Sequence, residues 1–152
     1  MSYLMRTIQN PKHRKDVFDR LARLDPSKPP LWGRLTAPRM LAHLCDQMRM
    51  PYNDNPSPPI PGVQHYPVMR QLVLYLLPWP KAQIQGPPEA FHTPPAVWSE
   101  DVATLKTLVD QFVNASVDRP WADHPNFGRM NHRVWGYFSY RHFDHHLRQF
   151  GA

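Results

Sequence analysis

His142 and His146 stand four residues apart in the segment from Tyr140 to Gly151, a run dense in aromatic and charged side chains. An α-helix turns about 100° per residue, so imidazoles at i and i+4 share one face. With Trp135 as the reference direction, Phe138, Tyr140, Phe143, Leu147 and Phe150 span one broad apolar arc. His142 and His146 fall within that arc, about 20° to either side of Trp135. Arg141, Asp144 and Arg148 lie opposite, and His145 sits at the margin. Two imidazoles so placed on a buried face can share one metal ion. Core histidines satisfied by tyrosine or backbone are the other reading of the same pair.

A third imidazole comes from far away in the chain. On the helix predicted from Ala37, the residues Ala37, Met40, Leu41, Leu44 and Met48 form the apolar face. His43 lies at the edge of that face with Gln47 beside it, while Arg39, Asp46 and Arg49 point away. His43, His142 and His146 together make a three-histidine site for a divalent metal. Zinc or nickel suits such a site, and iron is also compatible. Three protein ligands leave coordination positions open for water or substrate, as a catalytic rather than a closed structural centre does. Gln47 and His145 are placed to support the ligands from outside.

The other candidates carry less. Cys45 is two residues from His43 but about 200° around the helix, which makes it a packed thiol. His124 stands in the loop His124-Pro125-Asn126-Phe127-Gly128, where it serves a turn, faces solvent or lines the mouth of the pocket. His13, His65, His92 and His132 read as surface or loop residues, and the charges Asp144/Arg148 and Asp101/Lys106 as solvated faces. There is no phosphate-binding glycine loop, no Cys-x-x-Cys and no elbow for a nucleophilic serine.

Helices must position these residues. Asn10 caps a first helix from Pro11 to about Leu24, with Val17, Leu21 and Leu24 as its apolar stripe. Thr36 caps the second, which Pro51 ends. Five prolines in residues 51–62 make that stretch a loop. A short apolar helix follows from about Pro67 to Leu77, then a second proline-punctuated stretch to Pro95. Ser99 is the predicted cap of the next helix, in which Leu105, Leu108, Val109 and Phe112 keep helical period. Asn131 caps the last helix, which runs to about Phe150 and stops at Gly151. No segment alternates as a strand does. The expectation is an all-α bundle of four main helices, with a short extra helix in the long crossover between the second and third.

The bulk properties set the outer limits. At 152 residues, residues 1–152 are read as one domain, with enough apolar side chains (41%) for a real core. The first 50 residues hold ten Lys/Arg against four Asp/Glu, and the rest balances at eight against eight, so the net +6 resides entirely in the first third. Those basic residues, Lys12, Arg14, Lys15, Arg20 and Arg23, alternate with apolar ones as on the wet face of an amphipathic helix. No nucleic-acid-binding motif accompanies them, and no nucleic-acid partner is expected. The longest apolar run, Leu72 to Leu77, is too short to span a membrane, and residues 1–6 lack the pattern of a signal peptide. One cysteine allows no intramolecular disulfide. These features favour a cytoplasmic protein.

Trp32-Gly33-Arg34-Leu35-Thr36, Met40-Leu41-Ala42-His43, His124-Pro125-Asn126-Phe127-Gly128 and the ending Tyr140 through Gly151 resemble the DinB/YfiT-like superfamily of metalloenzyme bundles. The likeness is narrower to a bacterial subfamily of unknown function with the ending His-Phe-Asp-His-His-Leu-Arg-Gln-Phe-Gly, and it extends from about residue 10 to the end. It implies a four-helix bundle with metal ligands on the second and last main helices, at the positions of His43, His142 and His146. It also implies enzymes that transfer or isomerise with a low-molecular-weight thiol such as bacillithiol, mycothiol or glutathione.

Two classes of function follow. In the first, the chain is a metal-dependent transferase acting on a small electrophile with a thiol, or in a close variant a metal-dependent hydrolase. In the second it is a non-catalytic bundle with a structural metal, associating with partners or with itself as a homodimer through loop aromatics.

Overall fold

The computed structural model describes residues 6–54, 56–81 and 88–152. Met1 to Met5, part of the start read above for a leader, and residues 82–87 of the second proline-punctuated stretch lie outside the described residues. Among the described residues five α-helices follow in chain order: α1 (Pro11–Arg23), α2 (Ala37–Arg49), α3 (Pro67–Gln71), α4 (Trp98–Asn114) and α5 (His132–Gln149). α1, α2, α4 and α5 form the bundle, in which α2 packs on α4, α1 on α5, and α2 on α5. α3 and short 3₁₀ turns occupy the crossover between α2 and α4. The all-α bundle with an extra crossover helix is therefore the architecture.

The helix starts follow local chemistry. The Asn10 side chain accepts from the backbone N–H of Lys12 and His13, with Pro11 in the first position, where its missing N–H has no intrahelical partner to lose. Thr36 does the same for Arg39 at the start of α2, and Asn131 for Val134 at the start of α5. Ser99 does not cap α4. The helix begins one residue earlier at Trp98, after Val97, which offers no capping side chain. Asp101 instead reaches back to accept from the N–H of Ala96 at 2.9 Å, which buries it and removes it from the solvated face expected of it.

The apolar stripes meet as the helical period requires. Val17 and Leu21 of α1 and its C-cap Leu24 are buried, and Trp135, Tyr140, Phe112 and Phe143 are the largest side chains wholly inside. Each such residue contributes about 1.5–3 kcal/mol by leaving water. Arg20 departs from the wet face predicted for it. It is 11% exposed and bonds the Asp144 carboxylate at 2.7 Å, so Asp144 ties α1 to α5 rather than facing solvent. The segment before α1 lies against α5, where Ile8 donates to the carbonyl of Gly136 at 3.1 Å. A Cβ at Gly136 would fall 2.5 Å from Gln9 Oε1 and 2.7 Å from Thr7 Oγ1, so any larger residue there must push these two side chains aside.

α3 continues into a wide π turn, Leu72–Leu76, closed by the N–H of Leu77 on the carbonyl of Leu72. Arg141 of α5 donates to the carbonyls of Val73, Leu74 and Leu77, and the Trp79 indole donates to Val73 as well. These bonds hold the crossover against the middle of α5. Among the described residues no helix is long and apolar enough to cross a membrane.

Leu105 of α4 is fully buried in the common core. Leu105→Ala should cost about 2–5 kcal/mol of unfolding free energy by loss of transfer energy and creation of a cavity. Urea titration followed by helical circular dichroism measures that shift.

Candidate metal centre

α2 and α5 bring three imidazoles together. His43 Nε2 and His142 Nε2 are 3.0 Å apart, and His146 Nε2 is 3.1 Å from His142 Nε2. One ligand-type atom from each of the three lies within 4.8 Å of the others. The rings meet edge to face, His43 with His142 at 87° and His142 with His146 at 73°, so the nitrogens rather than the ring faces converge. His43 and His142 are buried, and His146 lies nearest the rim.

The outer nitrogens fix which ring atoms carry protons. His43 Nδ1 is 2.5 Å from the carbonyl oxygen of Ala90, which can only accept, so Nδ1 bears the hydrogen. Gln149 donates its amide N–H to the Trp32 carbonyl at 2.9 Å, and this leaves its Oε1 to accept from His146 Nδ1 at 2.9 Å. Both imidazoles therefore present an unprotonated Nε2 to the centre. Among the described residues His142 Nδ1 is buried without a hydrogen-bond partner.

This donor set fits a divalent cation. A proton on His142 Nε2 could satisfy only one of its two neighbours, and His142 Nδ1 would still be unpaired. With the proton on Nδ1 instead, three lone pairs face one another. A cation satisfies all three at once. Two nitrogens each about 2.1 Å from one ion stand about 3 Å apart at ordinary coordination angles, as these do. Protonation is no remedy: burial depresses the pKa of His142 well below the usual histidine value, and its histidine neighbours depress it further. Burial, then His43, brings His146 down to about 3, and burial lowers His43 too. The three remain neutral, the form that ligates metal.

Aromatic rings wall the centre. Phe91 stacks on His43 with centroids 4.3 Å apart, Phe138 lies on His142, and the Trp79 ring is 6.0 Å from both His142 and His145. Trp32 meets His145 at 6.0 Å, and Lys81 Nζ sits 4.6 Å above the Trp32 ring. A clamp from α2 holds the Ala90–Thr93 stretch over His43. Asp46 accepts from the N–H and hydroxyl of Thr93 at 2.8 and 2.5 Å, and Arg39 donates to the carbonyls of Phe91 and Thr93.

The sequence-predicted residues fall into three groups. His43, His142 and His146 are brought together. Gln47 and His145 stand beside them without bonding them: Gln47 donates to Ser139 Oγ at 3.2 Å, and the half-buried His145 ring is 5.3 Å from His146. Cys45 points away, as its wheel position predicted, with burial pushing its thiol up to about 12. Three expectations are corrected. Asp46 does not point to solvent, because Thr93 packs over it and satisfies it. His132 is no surface residue; it is buried, bonds the Phe112 carbonyl at 2.8 Å and stacks on Trp121. His124 serves its turn, accepting from the N–H of Asn126 at 3.0 Å, but is buried among Phe127, Trp135 and Phe138 rather than exposed. Two supports of the centre were not anticipated. Gln149 carried a signal in its i+3 spacing from His146. The Ala90 carbonyl is a backbone atom and leaves no trace in residue type.

The chain belongs to a family described as a protein of unknown function (DUF1569), matched over residues 10–152. No curated protein and no solved structure matches the chain. The family, the bundle and the histidine cluster together agree with the DinB/YfiT-like resemblance.

His124 gives a pH test apart from the cluster. Burial brings its pKa down to about 3, so the folded form binds fewer protons than the unfolded one at acid pH. Its contribution to stability is complete above about pH 6.5 and is lost as pH falls towards 3. In metal-free protein, urea midpoints should drop from pH 7.5 to pH 5. His124→Phe should show a shallower drop, and an equally steep one would refute the assignment.

Proposed function

We propose that this DUF1569-family chain is a metal-dependent enzyme that joins a low-molecular-weight thiol to a small electrophile. The observation that supports it best is the convergence of three neutral imidazole nitrogens, with two rings anchored by carbonyl acceptors so that their free lone pairs face inward. His43, His142 and His146 would hold one divalent ion, zinc or nickel in preference to iron, through Nε2. Such an ion lowers the pKa of a thiol that it meets, which is the chemistry it supplies when bound. Three protein ligands leave room beside it, and the less buried His146 marks the side of approach.

The chain's own side chains supply the rest. Trp32, Trp79 and Phe91 exclude water from the centre, and the Lys81 ammonium gives an anionic thiol a point of attraction at the mouth. In the overall reaction the sulfur forms a bond to carbon, the leaving group departs with its electron pair, and the thiol proton passes to solvent. The hydrolase variant would use the same ligands with water in place of thiol. The likeness to thiol-using relatives favours the transferase.

Elemental analysis of untagged full-length protein should find about one divalent metal per chain, absent from the His43/His142/His146 triple alanine variant. Zinc- and nickel-loaded protein should then consume glutathione or another small thiol with an alkylating electrophile. His142→Ala should reduce that turnover to near background while keeping its helical circular dichroism. A variant that loses its fold along with the metal would instead point to a structural ion.

A further inference from the structure

Each ring of the cluster needs an acceptor for its Nδ1 proton once Nε2 is given to a metal, and two of the three acceptors are already in place. His142 is the exception, its Nδ1 buried and, among the described residues, unpaired. One helical turn along the same α2–α5 seam is another unpaired buried atom, the side-chain oxygen of Gln47. Gln47 follows His43 by four residues, Ser139 precedes His142 by three, and the two are bonded across the seam just as their histidine neighbours meet. The helices run antiparallel here, so the amide layer is stacked directly on the imidazole layer, about 5–6 Å away along the helix surface. One unpaired atom is an acceptor, and the other becomes a donor when metal takes Nε2.

We propose that Gln47, held by Ser139, is the positioning residue for His142, and that its amide turns over with metal occupancy. This rests on the three histidines being the metal ligands. With metal at Nε2, His142 carries its proton on Nδ1, and the amide presents its oxygen to that N–H while its NH₂ donates to Ser139 Oγ. Without metal, a proton on His142 Nε2 bridges to His43 or His146, and Nδ1 becomes an acceptor. The amide then presents its NH₂ to Nδ1, and the Ser139 hydroxyl donates to the amide oxygen. A hydroxyl can both donate and accept, so Ser139 serves both orientations, whereas a carboxylate at position 47 serves only the metal-bound one. Leucine serves neither. The outward ring hydrogen bond of a metal-binding histidine is typically worth 10–100-fold in metal affinity.

The test uses full-length protein with zinc alone as the probe. Zinc affinity is measured by chelator competition, and the ring protons by long-range proton–nitrogen spectra of ¹⁵N-histidine-labelled protein. Gln47→Leu should weaken zinc 10–100-fold while the metal-free protein keeps its helical circular dichroism and a cooperative melt. Gln47→Glu should regain wild-type affinity or exceed it. In zinc-loaded wild type the His142 Nδ1 proton should be slow to exchange, and in Gln47→Leu it should exchange rapidly. Zinc binding and a His142 proton signal unchanged in Gln47→Leu would overturn this inference while leaving the metal centre standing. Failure of wild-type protein to take up zinc would overturn both.

Discussion

Three ring nitrogens face one another across the contact between α2 and α5, in a place water hardly reaches. Neutral imidazoles can carry at most one proton each, and two of these rings keep theirs on the far side, tied to oxygens of Ala90 and Gln149. Much of the molecule can be understood as the apparatus that holds this arrangement in place. The Asp46–Thr93 and Arg39 bonds press the Ala90–Thr93 stretch onto α2. The Gln149 bond to Trp32 carries the segment before α2 back to the end of α5, as does the 2.7 Å bond from the N–H of Leu31 to the Gln149 carbonyl. Loops that are irregular in backbone are thus fixed by side chains from the two helices that carry the histidines.

Burial and charge act together in this region. Removing imidazoles from water disfavours their protonated forms, and packing several together adds mutual repulsion between those forms. The surrounding rings of Phe91, Phe138 and Trp79 make the low-dielectric wall and add no competing acceptor. The formal positive charge of the first third is partly taken up elsewhere, with Arg20 committed to Asp144 and Arg39 to backbone carbonyls. Net charge counted along the chain therefore overstates what the first third presents to a partner.

Periodic features were legible in the sequence, and long-range ones were not. Helical spacing of Val17, Leu21 and Leu24, and of the apolar residues of α2 and α5, identified faces that the fold buries. Asn10, Thr36 and Asn131 announced helix starts because a capping side chain acts on N–H groups two or three residues away. The wheels turned His43, His142 and His146 inward for the same local reason. Asp46 and His132 were misread because their partners, Thr93 and the Phe112 carbonyl, are 47 and 20 residues distant. A wheel ranks the faces of one helix and says nothing of a loop that later covers the polar side. Ser99 failed as a cap because α4 starts one residue before it, at Trp98, and Asp101 bonds the Ala96 N–H of the segment that leads in.

The wide turn at Leu72–Leu76 has a consequence in evolutionary time. A π turn holds one residue more than the α-helix around it, the imprint that a single-residue insertion leaves in a helix. Deleting one residue there would restore the tighter winding and leave the chain on either side facing nearly as before, whereas a deletion in a regular α-helix swings everything after it by about 100°. The carbonyls of Val73 and Leu74, which lie within the wide turn on the Arg141 guanidinium, would be the ones to shift, and Trp79 beyond it would keep its place beside His142 and His145. This stretch can therefore lose a residue with little effect on its surroundings, whereas the same loss within α2 or α5 would turn the histidines out of register.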